Sequence, residues 1–287
     1  MMKRAVASWA YKTGLAVALF SLTAAIPAVA DDYRFFVNYT AHLNGLPVGE
    51  GHLLGRFDGT GYKLSSEGRF TGLARLVASY DAKSEAHGDL FAGPSGFRAK
   101  ARGGNEEYDV TFRIDRQRAH DVRIRPEPDP DDIAHPKRIV LTDEHKHGVT
   151  DPLSALITPG GFNGETFDRG ACNRVLPVFS GSERFDMRLS YGGVRSVSSN
   201  RSRGYSGPVL VCSVHYEPVA GHRTNHRGVR YMQERANTEI MLAPVADSDI
   251  LVPYRASFQT PVGRAVIQAG NITTDGNIDS GRLARGD

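Results

Sequence analysis

The 287-residue chain has two cysteines and one tryptophan, and its only long apolar run lies at the extreme N-terminus. Two thiols exclude a disulfide-dense scaffold, in which several bridges replace a core. The run from Gly14 to Ala30 is broken by Ser21, Thr23 and Pro27, which excludes a polytopic helical membrane protein. Also missing are G-x-S-x-G, the Walker loop, G-x-G-x-x-G and H-E-x-x-H, so nucleophile-elbow hydrolases, P-loop enzymes, dinucleotide enzymes and zincins lose their usual support. What is present is a globular composition, 40% hydrophobic and 23% charged, with ample material for a core.

Lys3, Arg4 and Lys12 precede the apolar stretch Leu15 to Ile26, and Ala28-Val29-Ala30 follows in the small-x-small pattern of a cleavage site. The expectation is a Sec-type signal peptide over residues 1–30, cleaved after Ala30, and a periplasmic product. No Cys follows the cleavage site and no Arg-Arg pair precedes the run, so neither lipidation nor the twin-arginine route is expected. Removing those three basic residues from 35, against 32 acidic ones, balances the charges. The basic isoelectric point of the whole chain therefore argues for no nucleic-acid partner.

In an oxidising compartment, Cys172 and Cys212 read first as a disulfide. Closing a loop of that size contributes ~4 kcal/mol in the chain-entropy model. The alternative, a reactive thiol, would need a His and an acid nearby, and His215 is close in sequence.

Period-two alternation dominates the mature chain. Tyr33, Phe35, Val37, Tyr39, Ala41 and Leu43 form one apolar face, and similar rows run through Tyr108–Ile114, Phe185–Tyr191 and Ile250–Phe258. Leu210, Cys212, Val214 and Tyr216 form another, which points Cys212 inward. Asn44-Gly45, Asp58-Gly59, Gly103-Gly104 and Tyr191-Gly192-Gly193 read as hairpin turns between them. The pattern predicts an all-β, mainly antiparallel fold: a single strongly curved sheet, a half-open barrel or β-spiral, with a two-sheet sandwich as runner-up.

One short helix is expected near residues 151–157, with Asp151 as N-cap, Pro152 in the first turn and Pro159-Gly160 as terminator. Leu153, Leu156 and Ile157 share its apolar face, so it must dock on the sheet or plug the barrel mouth. Leu73, Leu76, Val77 and Tyr80 fit helix and strand equally. Residues 126–136, rich in Pro and Asp, read as an extended exposed loop. Residues 31–272 form one β-rich domain, and 273–287 a frayed polar tail.

The His145-Lys146-His147 run and the His222, His226 pair are the only metal-like spacings, and both read as solvated loop histidines, with no metal or cofactor expected. Arg195, Arg201 and Arg203, and then Arg223, Arg227 and Arg230, read as exposed basic loops at opposite ends of the sheet. Asp151, Ser154, Glu183, Asp186 and His215 are the candidates for acid, base or nucleophile, provided that they converge.

The segments Cys172-Asn-Arg-Val-Leu-Pro-Val-Phe-Ser-Gly-Ser-Glu-Arg-Phe-Asp186 and Gly207-Pro-Val-Leu-Val-Cys-Ser-Val-His-Tyr-Glu-Pro-Val-Ala-Gly221 resemble the proteobacterial exported family called domain of unknown function 3108. Asn44–Gly49, Asp151–Ala155, Leu242–Pro244 and Val252–Arg255 extend the likeness over most of the mature chain. Relatives often carry Asp in the Val-Phe-x-Gly turn where this chain has Ser180, so that turn is given no carboxylate role. The resemblance implies a periplasmic protein, a Cys172–Cys212 disulfide and a curved sheet like that of lipoprotein carriers. It implies no reaction. The expected function is a non-enzymatic cell-envelope protein holding an apolar, lipid-like ligand or an envelope partner. The alternatives are a hydrolase or transferase acting on envelope glycan or lipid, and a scaffold binding proteins by a sheet edge.

Overall fold

The computed structural model describes residues 33–72, 79–90, 93–104, 106–199, 204–235, 238–245 and 248–274. Residues 1–32, 73–78 and 275–287, together with Arg201 and Arg203, lie outside them.

Seven strands come first: β1 (Tyr33–Leu43), β2 (Leu46–Asp58), β3 (Gly61–Phe70), β4 (Tyr80–Asp89), β5 (Ser95–Gly103), β6 (Glu106–Asp115) and β7 (Arg118–Arg125). A long connection carries a single helical turn, α1 (Pro130–Ile133), and three 3₁₀ turns, at Glu144–Lys146, Ser154–Leu156 and Arg169–Ala171. Then follow β8 (Val175–Phe179), β9 (Arg184–Val197), β10 (Gly207–Ala220), the helix α2 (Arg227–Arg235), β11 (Thr238–Pro244), β12 (Leu251–Thr260) and β13 (Gly263–Thr274).

All thirteen strands form one antiparallel sheet, in the order β7-β6-β5-β4-β3-β2-β1-β13-β12-β11-β10-β9-β8. It is a nearly closed barrel with one seam, between β7 and β8, and not a sandwich. Hairpin pairing joins sequential strands, while the first strand pairs with the last, Ala41 opposite Ile267. Phe35 and Phe36 extend that ladder to Thr274 and Thr273, so the sheet runs two residues into the segment expected to fray.

The seam is laced by the connection itself. Gly148 N donates to Gln117 O at 2.7 Å beside an antiparallel bridge between His147 and Arg118. Two residues on, Thr150 N donates to Pro177 O at 2.8 Å, and Phe179 N donates to Thr150 O at 2.9 Å. Residues 147–150 thus satisfy backbone groups at the start of β7 and along β8, covering part of the edges that would otherwise be open pairing templates.

The barrel interior is filled. Phe35, Phe57, Phe97, Phe112 and Phe179 pack with Val149, Leu153 and Ile157 into one continuous apolar core. The expected plug is therefore present, but as a 3₁₀ turn and not an α-helix. Leu153 and Ile157 are buried in it, whereas Leu156 points outward and is 37% exposed. The β8–β9 turn approaches β6 so closely that a Cβ on Gly181 would overlap Val110, and its φ of +102° also requires glycine.

Strands β10 to β12 are buried on both faces, which period-two reading of one strand does not anticipate. Val209, Val211, Met241 and Ala243 form one layer, which shares Tyr254 and Ile272 with the barrel core. Leu210, Cys212, Val214, Leu242 and Leu251 face the other way, under Phe162, Phe167, Ala171 and Cys172. Cys212 therefore points away from the barrel interior, and the Cys172–Cys212 disulfide, Cα–Cα 5.3 Å, pins the 161–173 segment onto the outer face.

Three further sequence expectations are corrected. Tyr191-Gly192-Gly193 is no turn: β9 runs through it with a register shift opposite Val211 and Cys212, and Gly193 at φ +115° absorbs the extra residue. The 126–136 loop contains α1, capped by Asp129, whose Oδ1 accepts from Asp131 N at 2.9 Å with Pro130 starting the turn. The loop expected around the His222, His226 pair gives way to α2 at Arg227, where Arg230 pairs with Glu234 at 3.5 Å.

Candidate functional site

The plug is held by its own cap. Oδ1 of Asp151 accepts from the backbone N–H groups of Leu153 and Ser154, each at 2.9 Å. Asp151 is 1% exposed, and burial pushes its carboxyl up, against the pull of hydrogen bonds from Ser154 and Leu153. Ser154 Oγ and the Tyr62 hydroxyl of β3 lie 2.8 Å apart. Burial likewise raises the Tyr62 phenol. Asp151, Ser154 and Tyr62 thus tie the plug to the barrel wall.

Beside this chain a groove of about 380 Å³ runs between the plug and β8. Leu90, Ile114, Val149, Ile157, Leu176 and Pro177 supply apolar walls, while Tyr62, Ser154, Asp89 and Arg174 supply polar groups. Asp89 accepts from Thr60 Oγ1 at 2.5 Å. The volume falls in the lower part of the roughly 300–1,000 Å³ typical of small-molecule sites.

Arg174 differs from the exposed, ion-paired arginines of the sheet. Its Nη2 donates to Thr158 Oγ1 at 2.6 Å, but Nε is buried without a partner, and among the described residues no carboxylate pairs with its guanidinium. Partial burial alone pushes its pKa down. By contrast Arg69, Arg98, Arg102, Arg113, Arg188 and Arg195 all have carboxylate partners. Arg174 follows Cys172 by two residues, and its carbonyl accepts from Leu189 N at 2.8 Å. Thr158 is fixed by a reciprocal pair with Leu251 at 3.0 and 2.9 Å. Disulfide, strand ladder and plug together place the guanidinium at the groove.

The five candidate residues do not converge. Asp151 and Ser154 are joined as described, but Asp151 is occupied as a cap. Glu183 lies in the β8–β9 turn, closed by Ser180 N donating to its carbonyl at 3.0 Å, and lines a different pocket of about 680 Å³ with Asp132, Arg138, His222 and Arg223. Asp186 is ion-paired to Arg184, with both side chains largely buried. His215 is exposed on β10, opposite Arg188 of β9.

His222 is not the solvated residue expected. It is 5% exposed because the connection folds over its loop, with Ile139 N donating to His222 O at 3.0 Å and Gly221 N to Ile139 O at 2.8 Å. Burial lowers the imidazole, opposed by Glu183. No cluster of three metal-ligating side chains exists among the described residues. The basic loops are also partly accounted for. Arg195 lies on β9 and pairs with Glu239 at 3.2 Å, and Arg223 pairs with Asp132.

Sequence reading missed Arg174 and α2. A half-buried unpaired guanidinium has no sequence signature, since arginine is usually solvated. The i, i+3 pair Val229 and Met232 and the i, i+4 pair Arg230 and Glu234 were the available signals for α2.

One antiparallel sheet, rolled around a plug and bearing a lateral groove beside its seam, defines a β-barrel-like protein. Among the described residues no helix is long and apolar enough to cross a membrane. The chain belongs to the family described as protein of unknown function (DUF3108), whose model matches residues 38–269. Its fold is similar to the crystal structure of the beta-barrel-like protein of domain of unknown function DUF1849 from Brucella abortus, at 10% identity and a TM-score of 0.50, covering 85% of this chain and 97% of that one. At that identity the likeness is one of fold alone. No curated protein matches the chain.

Proposed function

We propose that this is an exported periplasmic protein of the cell envelope that acts by binding, not catalysis, and that its lateral groove takes a lipid-like ligand. The observation that carries the reading is the groove between plug and β8, where six apolar side chains line a volume adequate for a small ligand. The filled barrel interior does not support a lumen carrier, so the groove replaces it as the binding place. Basic, apolar and small residues in sequence over residues 1–30 support export.

The hydrolase alternative required convergence of Asp151, Ser154, Glu183, Asp186 and His215, and their dispersal gives it no geometric support. The edge-binding scaffold loses support at Arg118 and along Pro177 to Phe179, where residues 147–150 already bond to the sheet edge.

The test is native mass spectrometry with lipid extraction on protein purified from the periplasmic fraction. The expected result is a chain beginning at Asp31 that carries an acyl-containing ligand, lost in Ala155→Trp, which fills the groove. A cytoplasmic protein, or an apo mass in the wild type, would overturn the reading.

A further inference from the structure

We infer that Arg174 is an anion subsite and that the groove selects amphiphiles with one acyl chain and a carboxylate or phosphate head. The inference rests on the reading of the groove as a ligand site and adds the chemistry of the head.

A guanidinium has five N–H donors and cannot shed its charge at neutral pH. Here one donor reaches Thr158, Nε is buried without a partner, and among the described residues no carboxylate balances the charge. Taking a cation partly out of water is costly unless an anion or several acceptors replace the lost hydration. Arg174 has a single neutral acceptor, the hydroxyl of Thr158, which is 3% exposed and held in the ladder with Leu251. The guanidinium is thus fixed, dehydrated on one side and uncompensated.

It lines the same groove as Leu90, Ile114, Val149, Ile157 and Leu176. A ligand that matches both features is anionic at one end and apolar along the rest. Planar N–H pairs suit the two oxygens of a carboxylate or phosphate head. Asp89, the groove's carboxylate, accepts from Thr60 and disfavours an anion at its own position, so the head is placed at Arg174.

The experiment is calorimetric titration of the oxidised mature protein with octanoate, octyl phosphate, 1-octanol and inorganic phosphate, below micelle-forming concentrations. Octanoate and octyl phosphate are expected to bind about tenfold or more tightly than 1-octanol, the scale of one charge-assisted hydrogen bond. Inorganic phosphate is expected to bind more weakly than octyl phosphate. Arg174→Met should abolish the preference for octanoate over 1-octanol, with Arg174→Lys intermediate. A circular-dichroism spectrum and melt like those of the wild type show that the variant is folded. Equal wild-type affinity for octanoate and 1-octanol would overturn the anion subsite while the apolar groove stands. Equal affinity for inorganic phosphate and octyl phosphate would overturn the amphiphile. Binding of none of the four overturns both the subsite and the ligand-site reading beneath it.

Discussion

Phe112 of β6 and Phe179 of β8 meet edge to face, with ring centroids 5.1 Å apart, although no strand ladder joins their strands. The seam is therefore closed on its inner side by ring packing and on its backbone side by residues 147–150.

Phe179→Ala leaves a void at that junction. It should cost about 3–5 kcal/mol, the range for deleting a buried phenyl ring. Urea unfolding at constant slope measures it, and a loss under ~1 kcal/mol would show that the seam does not depend on this ring. Gly181→Ala should also destabilise, since its Cβ must displace Val110 from a buried position.

The disulfide fastens an outer layer to β10. Replacing both Cys172 and Cys212 by Ser should cost ~4 kcal/mol and lower Tm on the order of 10 °C. The wild type melted with reductant should match the double variant, and without reductant it should melt higher. Because Arg174 follows Cys172 so closely, reduction should also weaken octanoate binding before the barrel unfolds.

Asp151 carries a pH signature. Its folded pKa is raised by burial, so between the unfolded and folded values the native state binds more protons, and stability falls as pH rises through that window above the ordinary carboxylate value of 3.8. Asp151→Asn keeps a capping oxygen and removes the charge. It should match the wild type in acid, equal or exceed it at neutral pH, and flatten this part of the profile. Asp151→Ala loses the cap and should cost about 1 kcal/mol in acid, and less at neutral pH, where it also escapes the penalty of a buried charge.

Tyr62→Phe and Ser154→Ala each remove one end of a 2.8 Å contact. Each should cost about 0.5–1.5 kcal/mol, and a double-mutant cycle should show coupling. Additive losses would mean that the two hydroxyls do not tie the plug to β3.

His222 should titrate below its ordinary 6.5, because burial outweighs the attraction of Glu183 and Arg138 adds to the depression. The unfolded state then binds more protons in that window, so this residue's contribution to stability is present above 6.5 and lost as pH falls through the folded pKa. NMR titration of the imidazole checks the direction, and a folded value above 6.5 would contradict the burial argument.

The barrel wall was legible because β1 and β6 obey period two with one apolar face, Phe35 and Val37 in one, Val110, Phe112 and Ile114 in the other. The plug was legible because Asp151, Pro152 and Pro159 are local signals. Cys212 was misoriented because alternation identifies two faces but not which lies inside, and β10 buries both. Gly192-Gly193 was misread because glycines mark bulges as well as turns. Of the candidate site, Asp151 is legible as a helix cap, and Ser154 only as one of five candidate catalytic groups. Arg174 is not, since its significance lies in a missing partner, which only three-dimensional neighbours reveal.

The pairing of β1 with β13 also fixes an order of events. Synthesis delivers Phe35 long before Thr274, so one flank of the first strand waits unzipped until β13 has been made. Such non-local pairing folds slowly and leaves an adhesive ribbon exposed meanwhile. A nascent chain truncated before Gly263 should therefore clump, and a permutant that places β13 ahead of β1 should shorten the wait.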